Sequence, residues 1–215
     1  MGEILDVTQR PNFPELLWTH VVLCVVSLLI AIAIAIPLAL AVRDTPLGAT
    51  IAINIGNVGR AVPSIAILAL ALPFLGYGFA PSLLALTLLA IPPILINAST
   101  GLREVSREVM DAARGMGLSE TQIFSRIQLP IAMPVIFAGI RTSAVQVVAS
   151  ATLATFIGGG ALGELIVEGL QRDDTAVLLA GSFTIALLAI AAELIFGGLE
   201  RAFTPKGLHL ARKKK

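Results

Sequence analysis

The sequence predicts an all-α integral membrane protein of about five transmembrane helices. Three observations carry that prediction: 56% of the 215 residues are hydrophobic, only 13% are charged, and the apolar residues fall in long runs. A soluble domain carries about a quarter charged residues, so this chain has too little polar surface to face water. A hydrocarbon core of about 30 Å takes roughly 20 apolar residues as a helix, the form in which a single segment pairs its own backbone. The mean hydropathy, +0.91, agrees. A net charge of +1 and few aromatic residues leave no electrostatic or stacking case for nucleic acid.

Taken in order, residues 1–15 read as an external tail, residues 16–200 as the membrane domain and residues 201–215 as a basic cytoplasmic tail. The first span is expected at 16–42. Ala39-Leu40-Ala41 matches a signal-cleavage pattern, but Glu3, Asp6 and Glu15 precede it against only Arg10. The uncharged run 21–42 also exceeds a signal core, so it is read as a retained helix. The second span is expected at 49–75, weakened by Asn54, Asn57 and Arg60, with Arg60 near its cytoplasmic edge. The third is 80–98, the fourth 130–156 and the fifth 175–199. Pro37, Pro73, Pro92 and Pro93 are expected as kinks within spans.

Orientation follows from lysine and arginine in the connections. Arg43, Arg103, Arg107, Arg114, Arg126, Arg201, Lys206, Arg212 and the lysines at 213, 214 and 215 fall on one side, against Arg10 and Arg172 on the other. The first side is therefore expected to be cytoplasmic, with the N-terminus outside. Trp18 and Tyr77 fall at outer helix ends, as interfacial aromatics do.

One polar segment interrupts this pattern. Residues 103–126 hold eight charges, which would cost on the order of 20 kcal/mol to hold in hydrocarbon. Val105, Val109, Ala112 and Met116 recur at helical spacing, and Arg107 stands four residues before Asp111, a pairing distance. Gly117 marks a helix end. Ser119 and Gln122 form a capping box, with Leu118 and Ile123 at the staple positions. The second helix is expected to stop near Gln128, because Pro130 disfavours helical geometry at Leu129. The small residues Ala112, Ala113, Gly115 and Gly117 give a corner that another surface could approach closely.

The spacing Asp111-Ala112-Ala113, three residues, Gly117, nine residues, Ile127, one residue, Leu129-Pro130 resembles the EAA loop of bacterial ABC importer permeases. Asp111 stands where that family usually has Glu. The resemblance covers roughly residues 19–199 and implies a type I ABC importer permease core, with 101–130 as its cytoplasmic coupling-helix loop. It implies that Ala112, Ala113, Gly115, Gly117 and Leu118 dock on a separate ATP-hydrolysing subunit. Asp111 and Arg114 would serve as polar contacts or internal braces, and Ile127, Leu129 and Pro130 complete the motif. The expected partners are an ABC ATPase dimer, a second or homologous permease, an extracytoplasmic substrate-binding protein and the lipid bilayer. The chain itself is expected to be no enzyme and to hold no cofactor, ATP being used by the partner.

Gly158-Gly159-Gly160-Ala161-Leu162-Gly163 satisfies G-x-G-x-x-G, yet no acid stands about twenty positions on and no phosphate loop occurs. It is read as a flexible break between the fourth and fifth spans. The surrounding stretch 139–166 resembles the permease subgroup for glycine betaine, choline, carnitine or proline. Permeases for other small solutes such as methionine, and ion-coupled secondary transporters, are the alternatives. Arg141 lies eleven residues after Pro130, about 16 Å along a helix and hence near mid-bilayer. It is expected either to pair with Glu193 or to line the translocation path. Arg60, Asn97, Gln146, Thr152 and Glu193 are the other path residues. Cys24 is read as buried filler, and His20 and His209 lie too far apart for a metal or catalytic cluster.

Overall fold

A computed structural model describes residues 2–204, and every regular element among them is helical. Short α1 (Gly2–Thr8) precedes α2 (Phe13–Val42), α3 (Pro46–Ala61), α4 (Ser64–Leu75) and α5 (Phe79–Arg103). Then follow α6 (Arg107–Gly115), α7 (Glu120–Ile123), α8 (Leu129–Ser150), α9 (Gly163–Arg172) and α10 (Thr175–Phe203). Lys206, His209, Arg212 and the terminal lysines, hence most of the expected basic tail, lie outside the described residues. The 1–15 segment is not a simple tail: α1 occupies it, and Arg10 reaches Glu168 of α9 at 3.1 Å.

Among the described residues four helices are long and apolar enough to cross a membrane: α2, α5, α10 and a continuous run Glu120–Ile157 that contains α8. The pair α3 and α4, bent by 91° at its break, passes the same test when taken together, which gives up to five spans by length and composition. We call the end of the bundle that carries α6 and α7 the elbow end, and the other the far end. Helix α5 is the central post, packed by α2, α3, α4 and α8, while α10 packs on α8. Leu23, Leu86, Ile94, Val147 and Leu165 are fully buried between them. Cys24 is buried there too, as filler.

Three expectations are corrected. The second span does not kink at Pro73, which sits inside α4; it breaks before Pro63. Val62 is extended, at φ −74° and ψ 125°, the conformation that a residue before proline prefers. This break relocates Arg60. A Cβ on Gly59 would lie 3.0 Å from Pro92 Cγ, and Pro92 is near the middle of α5. Arg60 therefore lies at mid-depth and not at an edge.

Pro130 does not stop a helix. Leu129 is helical, at φ −62° and ψ −49°, and a wide π turn, Phe124–Gln128, leads into α8. Proline in a first helical turn has no N–H to lose, and the extra residue of the π turn gives its ring room. The glycine run is no flexible break either. Ala161 and Leu162 are fully buried, and a Cβ on Gly163 would lie 2.1 Å from the Thr152 carbonyl oxygen. Gly159 and Gly163 are glycine because neighbouring atoms leave no room for a Cβ, and Gly158 and Gly160 because their φ is positive, +72° and +65°.

Candidate functional site

The elbow is built from its caps outward. The Val109 N–H donates to Ser106 Oγ at 3.4 Å and starts α6. At the other end, Met116 N–H donates to the Ala112 carbonyl, and Leu118 N–H to the Ala113 carbonyl at 3.2 Å. Gly117 between them has φ +80°, the left-handed conformation that ends helices and that glycine alone adopts without a Cβ penalty. The chain then turns into α7, where the predicted capping box forms: Ser119 N–H to Gln122 Oε1 at 2.9 Å, Gln122 N–H to Ser119 Oγ at 3.4 Å. From Glu120 onward the chain is helical without interruption to Ile157. The elbow is therefore the bent tip of a membrane-crossing helix.

Charge braces the bend. Arg114 Nη1 donates to Asp111 at 3.0 Å, and its Nε donates to Glu120 at 2.8 Å across the glycine corner. The expected Arg107–Asp111 pair does not form, because Arg114, one turn on, takes Asp111 instead. The guanidinium holds the Glu120 carboxyl below the usual carboxylate range. These pairs are exposed and screened by solvent, so they orient the corner and add little strength.

Two anchors were not legible in the sequence. Gln128 Nε2 donates to the Leu102 carbonyl at the end of α5, 2.9 Å away. The Arg43 guanidinium carbon lies 4.2 Å from the centroid of the Phe124 ring, a cation–π contact. Both join residues far apart in the chain, which periodicity does not report.

Of the motif residues, Asp111, Ala112, Arg114, Gly115 and Gly117 are exposed, while Leu118, Ile127, Leu129 and Pro130 are half-buried. Ala113 is fully buried. It belongs to the interior of the elbow and cannot touch a partner, contrary to its expected place on the docking surface. The expected apolar stripe is split likewise: Val105 is buried, whereas Val109 and Met116 are exposed.

The six expected path residues do not form one group. Arg141 pairs with Glu193 and, at 3.2 Å, with Glu200, both on α10. It lies against Gly197, six residues from the elbow end of α10 or about 9 Å by the helical rise, and so short of mid-bilayer. Arg141, Gln146 and Glu193 line a groove of about 430 Å³. Asn97 is engaged locally, its Nδ2 donating to the Pro93 carbonyl at 2.8 Å, and Thr152 Oγ1 donates to the Ala149 carbonyl at 2.7 Å. Arg60 stands apart on α3.

The Arg141 cluster makes a prediction. Arg141→Leu leaves Glu193 and Glu200 without their shared cation, and should lower the melting midpoint. The double variant with Glu193→Gln should recover part of that loss, read as the melting midpoint in detergent. Equal losses in both would mean that the pairing contributes nothing.

Residues 27–206 match the family described as binding-protein-dependent transport system inner membrane component. The carnitine transport permease protein OpuCB of Listeria monocytogenes is 38% identical over 91% of this chain and 90% of its own length. The glycine betaine/carnitine/choline transport system permease protein OpuCB of Bacillus subtilis (strain 168) is 36% identical over 97% of both chains. The osmoprotectant import permease protein OsmW of Salmonella typhimurium is 32% identical over 90% of this chain and 93% of its own. Among solved structures, an inward-facing MetNI methionine ABC transporter has a chain of the same fold. Its TM-score is 0.77 at 21% identity, covering 91% of this chain and all of that one.

Proposed function

From its membership of the binding-protein-dependent transport inner membrane components, shown by a match over residues 27–206, the chain is a multi-pass transport permease subunit, and we propose that it imports osmoprotectants. The solutes are of the glycine betaine, carnitine, choline and proline type. The reading rests on the names of relatives that align with it nearly end to end. It fits a chain whose one Trp and one Tyr are both exposed and form no cage for a quaternary ammonium ion. Trp18 and Tyr77 are 69% and 77% exposed, at the far end. Selective capture is then the task of a separate binding protein, and the permease supplies a weak path.

The elbow is the coupling element of this proposal. Its exposed face, with Val109, Ala112, Gly115, Met116 and Gly117, seats in a separate ATPase on the cytoplasmic side, with the N-terminus outside. What supports this is the geometry: a rigid, small-faced corner at the tip of an unbroken helix, pinned to α5 through Gln128. Displacing the tip tilts the fourth span directly. Two copies, or this chain with a homologous permease, would enclose the path.

Because Ala113 is buried, the probe belongs at position 116. Met116→Cys should crosslink to the ATPase in native membranes, and the reconstituted complex should take up labelled carnitine, glycine betaine or choline only with ATP. No crosslink, or uptake indifferent to ATP, would overturn the coupling reading. ATP-driven uptake of some other solute alone would overturn the substrate class.

A further inference from the structure

Two arginines, Arg60 and Arg141, lie inside the candidate spans among the described residues away from the span ends where Arg103, Arg126 and Arg201 stand, and they are treated in opposite ways. Arg141 is clamped between two carboxylates. Arg60 is exposed, at mid-depth, and takes part in none of the ion pairs seen among the described residues. Asn57 and Asn54, about one and two turns back, are also exposed on α3, while Gly56 and Gly59 pack that helix onto Ile96 and Pro92 of α5. Polar side chains at this depth do not face lipid without large cost; they face a water-filled path or protein.

Among the described residues no carboxylate forms an ion pair with Arg60. Residues 46–103, covering α3, α4 and α5, contain no Asp or Glu at all. The same face of a second copy would bring the same acid-free segment. The remaining source of negative charge at that level is a mobile anion. Glycine betaine and carnitine carry a carboxylate, which a guanidinium fork binds in two parallel hydrogen bonds; choline carries none. We infer that Arg60, at the break between α3 and α4, binds the carboxylate of zwitterionic betaines midway through the path and sets their preference over choline. Asn54 and Asn57 offer further hydrogen bonds along the way. This inference rests on the osmoprotectant reading above.

The test is uptake of labelled glycine betaine and choline by the complete complex in proteoliposomes, with its ATPase and binding protein. Arg60→Gln should lower the betaine-to-choline uptake ratio about tenfold, the range of a charge-assisted hydrogen bond. Arg60→Lys, which keeps the charge and loses the fork, should restore the ratio in part. A ratio unmoved by Arg60→Gln, equal loss of both solutes, or a wild type that carries choline alone would overturn this inference and leave the osmoprotectant reading standing. A wild type that carries neither solute overturns both.

Discussion

Gly117→Val is expected to leave the protein in the membrane at wild-type abundance and to lower ATP-driven uptake about tenfold or more. A Cβ at this position meets nothing within 4 Å, so crowding is not the cause. The backbone is: at φ +80° a β-branched residue is strained by about 1–3 kcal/mol. The braces that would hold it there are exposed, solvent-screened pairs of Arg114, too weak to enforce that conformation. The corner therefore relaxes, the Leu118 N–H to Ala113 carbonyl bond is lost, and α6 swings away from its seat. ATP hydrolysis should continue while transport falls. The order of activities is the signature: Gly, then Asn, which tolerates the left-handed region, then Ala, then Val. Equal activity across the series would show that the bend is not what couples the two subunits.

The elbow was legible because its devices are local. Gly117, Ser119 and Gln122 act within four residues of their partners, so sequence order reports them directly. The spans were legible for a related reason: length and hydropathy are sums over neighbours. What failed depended on a competition between local rules. Pro63 and Pro130 obey the same chemistry, yet one breaks a span and the other sits in the first turn of α8, entered through a π turn. Surroundings decide which. Side-chain partners over long separations, such as Arg43 with Phe124 or Gln128 with Leu102, leave no periodic trace. Ala113 shows a subtler limit. Composition marks it as small, and smallness serves a docking surface and a tight interior equally well.

The same ambiguity applies to the glycines of the spans, and there the structure separates two kinds. Transmission from the elbow requires that the helix starting at Glu120 move with α5 as a unit, and the seam between α5 and α8 is where they touch. Gly139 sits on it: a Cβ there would lie 2.6 Å from Asn97 Cβ and 2.8 Å from the Pro93 carbonyl oxygen. Neither atom is the end of a flexible chain, so the two helices must separate. Gly101 repeats the contact from the other side, against Val135 and the Ala132 carbonyl. Gly139→Val is accordingly expected to cost about 3 kcal/mol or more, to lower the melting midpoint in detergent sharply, and to reduce the folded protein in membranes. Gly198, whose Cβ would meet nothing within 4 Å, is the control. Gly198→Val should change stability by no more than about 0.5 kcal/mol. Should the two variants melt alike, α8 is not held against α5 by close backbone approach, and motion of the elbow would have to reach the path by another route.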